Sequence, residues 1–254
     1  MFRRASFISI IAFILGIAFS CTQSKEQTDA IDVLSIDSNA LRVAILPIKE
    51  CDVLKYAQES GIAQEMGLPL ELIPFDAMMD VDTAILSGVA HVYFEDSLRI
   101  CRIKQDTIRP TMLLPVPVKV SLIANKEKDI TDIKSLKTYM VGITRWSQLE
   151  EWLTQMTDAS GLEQMDVFHA QINSIPLRFN MIHGGLIDAA ILPHPWADSL
   201  TTKLGHTIIE EEILHGMGFF VTPSANADSL KQVQTTLLKK VYLEALTRLT
   251  STDN

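Results

Sequence analysis

Basic charge is scarce in this chain: 22 lysines and arginines stand against 31 aspartates and glutamates, a formal net charge of −9. That balance argues against nucleic acid and against an anionic membrane surface as partners. The motifs of common catalytic machinery are missing too, with no G-x-S-x-G turn, no C-x-x-C pair and no His, Cys and carboxylate cluster at metal-ligand spacing. His183, His194, His206 and His215 fall in separate predicted elements, so no metal or other cofactor is expected. Cysteine is sparse, at Cys21, Cys51 and Cys101. In an exported chain Cys51 and Cys101 allow one disulfide, yet both fall where a helix accepts any small apolar residue. The apolar run Phe7 to Phe19 is too short for a comfortable membrane span.

What that run does fit is a leader. Arg3 and Arg4 precede it, the layout of a signal peptide. It ends in Ala18, Phe19, Ser20 and Cys21, which resembles the lipobox of bacterial lipoproteins, with Phe19 where a small residue is usual. The resemblance implies that Cys21 is lipidated as the first mature residue, and that the chain is exported and held on a bacterial membrane through a lipid anchor, on the periplasmic side. An uncleaved leader would change the anchor and not the side. Residues 1–20 hold two of the 22 basic residues and none of the 31 acidic ones, so their removal takes the formal charge from −9 to −11. The segment 21–40 is polar and aperiodic, a tether rather than a packed element.

From Leu41 the pattern alternates strand and helix. Leu41–Leu46, Leu70–Phe75 and Val89–Phe94 read as strands, with helices between them opened by Asp52 and by Asp76, a βαβαβ order that predicts a parallel sheet. After Pro110, Pro115 and Pro117 the order restarts: Val118–Ala124 is a strand, Thr131 with Asp132 opens a short helix, and Tyr139–Thr144 is a strand. Ser147 to Glu150 is S-x-x-E, a capping box, followed by Leu149, Trp152, Leu153 and Met156 at helical spacing. Val167–Ile172 and Ile187–Leu192 are strands around a helix begun by Ser174 and Pro176. Phe219 to Val221 is a last strand, and Leu230 through Leu249 mark an amphipathic terminal helix. Extended segments near 115–120 and 206–220 then join two α/β lobes, 41–117 plus 213–254 and 118–212, with a cleft between them suited to a small ligand.

Three segments carry a family resemblance. ITDIKSLKTYMVGITRWSQLEEWL (130–153), LIDAAILPHPWADSL (186–200) and FDAMMDVDTAILSGVAHVYFED (75–96) resemble the type II periplasmic binding proteins of ABC transporters, in the nitrate, taurine and thiamine-precursor branch. His194 stands where that branch usually shows Glu, Ala77 where Ser is common, His91 where Asp is common and Glu95 where a small polar residue is common. The resemblance implies two parallel-sheet lobes on hinge strands, a monomer that captures a small molecule in the cleft, and delivery of that ligand to an ABC transporter permease.

In open α/β sheets ligands sit beyond the carboxyl ends of the strands. The second lobe offers Thr144, Arg145, Trp146 and Ser147 before a helix N-terminus able to hold an anion, and His194 and Trp196 after a buried apolar strand. Two indoles offer flat faces to a ring or a cation. The first lobe offers Cys51, Asp52, Asp80, Glu95 and Asp96 at strand ends and helix starts. Asp52 also fits a helix cap. The acidic lip and indoles favour a flat neutral or cationic heteroaromatic; Arg145 and the helix N-terminus favour a sulfonate or carboxylate. A ligand sensor or partner-docking lipoprotein would use the same cleft, as would an enzyme of this architecture acting on a small aromatic substrate.

Overall fold

The computed structural model describes residues 39–103 and 107–252; the leader and Cys21 lie outside them. In chain order the elements are β1 (Leu41–Ile45), α1 (Lys49–Glu59), the short α2 (Ile62–Glu65), β2 (Leu70–Pro74), α3 (Met78–Ser87), β3 (Val92–Asp96), α4 (Ser97–Cys101) and β4 (Thr111–Pro115). There follow β5 (Val118–Ala124), β6 (Met140–Ile143), α5 (Gln148–Ala159), β7 (Phe168–Gln171), α6 (Ile175–His183), β8 (Ala189–Pro193), α7 (Trp196–Asp198) and β9 (Thr207–Leu214). Last come β10 (Met217–Val221), α8 (Pro223–Ala227) and α9 (Ser229–Thr252). Two five-stranded sheets result, ordered β2-β1-β3-β10-β4 and β7-β6-β8-β5-β9.

The sheets are mixed rather than parallel, which corrects the expectation from alternation alone. β1, β2 and β3 run parallel while β10 opposes both β3 and β4. In the second sheet β6, β7 and β8 run parallel and β5 opposes β8 and β9. The reversed strand in each sheet is the one that has just crossed from the other: β4 passes to β5 through Val116 and Pro117, and β9 to β10 through His215 and Gly216. A chain leaving one sheet at its carboxyl edge meets the facing sheet at that sheet's carboxyl edge, and so runs against its new neighbours. The carboxyl ends of the two sheets therefore face each other.

Helix starts depart from the local signals. The sequence predicts Asp52 as a cap, but α1 begins at Lys49 after Ile48, and Asp52 lies in the first turn, paired with Lys55 at 2.8 Å. α3 begins after Ala77, which has no side chain to cap it, and Asp76 lies one residue outside. Thr131 and Asp132 precede only one turn of 3-10 helix, Lys134–Leu136. Ser174 behaves as predicted: its Oγ accepts from the Leu177 N–H at 3.2 Å, with Pro176 in the first turn.

Each sheet is covered by helices that bury one apolar face. In the first lobe Phe94 of β3, Phe219 of β10 and Tyr242 of α9 meet edge to face, with ring centroids 5.1 and 5.5 Å apart. Such pairs contribute about 0.5–1.5 kcal/mol each beyond area burial. Cys51 and Cys101 are both free thiols; Cys51 faces this core, and burial pushes its pKa well up.

Candidate functional site

Between the facing strand ends lies a small enclosed cavity of about 20 Å³. The first lobe lines it with Ile48, Met78 and Met217, and the second with Val118, Val120, Leu149, Ile175, Pro193 and Leu214. Two polar side chains join this apolar wall, Thr144 and Arg178. Arg178 is fully buried, and burial alone pushes its pKa down to about 9. One Nη donates to Thr144 Oγ1 at 2.9 Å and to the Ile172 carbonyl at 2.8 Å, whereas Nε has no partner. Its stem crosses β6 at Gly142, where a Cβ would stand 3.2 Å from Arg178 Cγ and 2.7 Å from Ile187 Cδ1. Glycine there is what gives the guanidinium its route to the cavity.

Around the cavity the lobes are joined by polar bonds in three places. The indole Nε1 of Trp196 donates to the Pro47 carbonyl at 2.6 Å, and the Lys49 N–H to the His194 carbonyl at 3.0 Å. The Ile175 N–H donates to the Asp76 carbonyl at 2.9 Å, beside a bridge between Ala77 and Ser174. The third seam is the densest. Asp96 Oδ2 accepts from the Gln148 N–H at 2.7 Å and Oδ1 from Gln148 Nε2 at 3.2 Å. Gln148 Oε1 in turn accepts from the Gly216 N–H at 3.1 Å. Arg99 donates to the Arg145 carbonyl at 2.7 Å, and the Arg102 guanidinium lies 4.3 Å from the Trp146 ring.

This seam corrects the reading of the α5 N-terminus. The capping box does not close: Ser147 Oγ donates to the Thr144 carbonyl, and Glu150 accepts from the Trp146 N–H instead. The first helical N–H is taken by Asp96 from the other lobe, so the anion position at this helix end holds the chain's own carboxylate. Trp146, at φ 58°, and Arg145 lie at the edge of the seam with their side chains exposed, Arg145 beside Glu150.

The remaining expected residues scatter. Thr144 alone among them lines the cavity. Ser147 is buried behind it, Asp80 is exposed on α3, Asp52 faces its lysine, and Cys51 is in the core. Both ring nitrogens of His194 are engaged, Nδ1 with Asp198 at 2.8 Å and Nε2 with Ser121 Oγ at 3.3 Å. Ser121, fully buried, donates its proton to Glu211 at 3.0 Å, so this chain of groups clamps the imidazole rather than arming a nucleophile. Trp196 packs edge-on against Phe179 with centroids 5.3 Å apart, which leaves it a clasp between lobes. The sequence reading missed Arg178, although a cation on the face of α6 that also carries Ile175 and Ile182 is a legible signal.

Glu95 is fully buried beside Asp96, with Oε2 unpartnered. Burial, and then the negative charge of Asp82, hold its pKa well above the usual 4.5; Arg99, which pairs with Asp82, lies 3.6 Å from it and offsets only part of this. The folded chain thus binds the Glu95 proton more tightly than the unfolded chain, and stability from this group is full below the unfolded pKa and declines as pH rises through the folded one. Relative to wild type, Glu95→Gln is expected to gain stability as pH rises above 4.5. The gain is at most about 1.4 kcal/mol per pH unit, or roughly 3–5 °C in midpoint. Thermal melts of both proteins between acid and neutral pH check this; a difference that stays flat with pH refutes it.

The sequence matches no protein-family model and no curated protein. Solved structures are more informative. The alkanesulfonate-binding protein SsuA of Xanthomonas axonopodis pv. citri, bound to MOPS, superposes with a TM-score of 0.67 at 14% identity, covering 82% of this chain and 73% of that one. The aliphatic sulphonate-binding SsuA of Escherichia coli gives 0.63 at 15% identity, over 84% and 75%. PhnD1 of Prochlorococcus marinus, in complex with methylphosphonate, gives 0.61 at 14% identity, over 80% and 83%. The chain has the periplasmic binding-protein fold. In that fold the cavity described above lies in the cleft between the two lobes.

Proposed function

We propose that this chain is an extracytoplasmic solute-binding protein that closes its lobes on a small molecule and passes it to an ABC importer. The observation that carries the reading is the enclosed cavity at the facing sheet ends, ringed by polar bonds between lobes that can break and re-form. Closure of this kind works by population shift: a ligand touching both lobes stabilises the closed arrangement by its differential affinity for it. Proteins of the same fold are described as bound to MOPS, methylphosphonate and arginine, all small charged solutes. The leader ending at Cys21 supports export and lipid anchoring, and two lobes in one chain support a monomer.

The test is small-angle scattering and thermal unfolding of the full chain with a panel of sulfonates, phosphonates, amino acids and vitamins. One class is expected to shrink the radius of gyration and raise the midpoint, as RT ln(1 + [L]/Kd) requires. A radius and midpoint unmoved by every class would overturn the reading.

A further inference from the structure

We infer that the cleft is built for a small organic oxyanion, a sulfonate, phosphonate or carboxylate head on a short apolar body, with Arg178 as the residue that recognises the head. The inference rests on the binding reading above and names its ligand class. Arg178 is wholly buried on the cavity wall, and among the described residues no carboxylate pairs with it. A guanidinium has five N–H donors in a planar fork that fits an oxyanion through two parallel bonds. Here the hydroxyl of Thr144 and the carbonyl of Ile172 engage a single Nη, and buried Nε is left without a partner. A cation out of water and without a counter-charge is a standing penalty that a fold does not retain for packing. An anionic guest would remove it.

Two further features of the wall agree in sign. α1 and α3 both begin beside the cavity, where Ile48 and Met78 line the wall, behind residues with no capping side chain, Ile48 and Ala77; the carboxylates of their first turns, Glu50, Asp52 and Asp80, do not line it. Of the acidic groups near the cleft, Asp96 caps α5, Glu95 and Asp82 are gathered at Arg99, and Glu50 at the start of α1 lies against the Lys119 backbone and does not line the cavity. The rest of the wall, Met78, Val120 and Leu214 among it, is apolar and suits a short hydrocarbon body. At about 20 Å³ the closed cavity takes little more than a water-sized group, so the guest enters only with the lobes parted.

The experiment follows the unfolding midpoint of the full chain against methanesulfonate, methylphosphonate and butyrate, with methylammonium and N-methylacetamide as cationic and neutral probes, all at matched ionic strength in sodium chloride. At least one of the anions is expected to raise the midpoint in a saturable way, and the cation and the amide to leave it in place. Arg178→Met is expected to melt above the wild type without any probe, since it removes the unpaired charge, and to lose about 100-fold or more in anion affinity. Should that variant not fold, Arg178→Lys serves instead: it keeps the charge without the fork, and its anion affinity should fall at least about tenfold. Anion shifts of full size in either variant overturn the inference. A saturable shift by the cationic or neutral probe alone also overturns it, while leaving the solute-binding reading in place; no saturable shift by any probe, together with an unchanged radius of gyration across the wider panel, overturns both.

Discussion

Gly218→Ala is expected to unfold about 6–12 °C below the wild type. Gly218 sits in β10 between β3 and β4, opposite Glu95 on one side and Pro115 on the other. A Cβ there would stand 2.4 Å from the Leu114 carbonyl oxygen and 3.1 Å from Pro115 Cα. Both are backbone atoms of a paired strand, so no rotamer change relieves the overlap and β4 itself must move. Overpacking of this kind costs about 1–3 kcal/mol, and a backbone obstacle puts it at the upper end. In a chain of this size 1 kcal/mol corresponds to roughly 2–4 °C in midpoint. Because β4 leads directly into the Val116–Pro117 crossing, the same change should widen the spread of lobe arrangements seen by small-angle scattering. A wild-type midpoint for this variant would show that β4 yields without loss and that the close approach is not a constraint.

Asp96→Ala acts on the seam instead of the sheet. It removes the acceptor for three donors at once, the Leu98 N–H at 2.8 Å, the Gln148 N–H and Gln148 Nε2. Two helices lose their N-terminal cap together, α4 within its own lobe and α5 across the cleft. Hydrogen bonds to a charged group contribute about 1.5–3 kcal/mol and a cap about 1 kcal/mol. Burial pushes the Asp96 pKa up, so relief of desolvation offsets part of the loss. A net fall of about 2–3 kcal/mol is expected, or roughly 4–12 °C, together with a larger radius of gyration as the densest interlobe seam opens. Asp96→Asn keeps one acceptor oxygen and should fall between the two. An Asp96→Ala protein that melts lower but keeps the wild-type radius would show that the carboxylate stabilises its own lobe and does not hold the lobes together.

The alternation of strand and helix was legible because each buried strand is an apolar run bounded by turn residues: Val118–Ala124 is β5 to the residue, and Leu41–Ile45 falls within one residue of its expected end. β9 was hidden for the opposite reason. It is an edge strand with Glu210, Glu211 and Glu212 in succession, and a sequence so polar reads as a linker until its pairing with β5 is known. β4 is likewise an edge strand, with its residues half-buried or exposed. The candidate cavity was legible in its location and less so in its lining residues. Strand ends pointed to the cleft, but the strongest local motif, S-x-x-E, is overruled by a carboxylate 52 positions away in the chain. No window along the sequence contains that contact. Arg178 lay within reach of the same reasoning, since a charge on an apolar helix face asks for a partner, and among the described residues no carboxylate pairs with it.

The two crossing strands also decide how force travels through the molecule. β5 and β10 are each hydrogen-bonded on both sides, β5 by β8 and β9, β10 by β3 and β4. Each is thus bolted into the interior of its plate rather than attached at a rim. Torque arriving through Val116–Pro117 or His215–Gly216 is shared at once across the flanking strands, and among the described residues these two links of two residues each are where the chain passes between the sheets. The lobes should therefore swing as rigid bodies about one axis through both joints, with the shape of each cleft wall carried unchanged from open to shut.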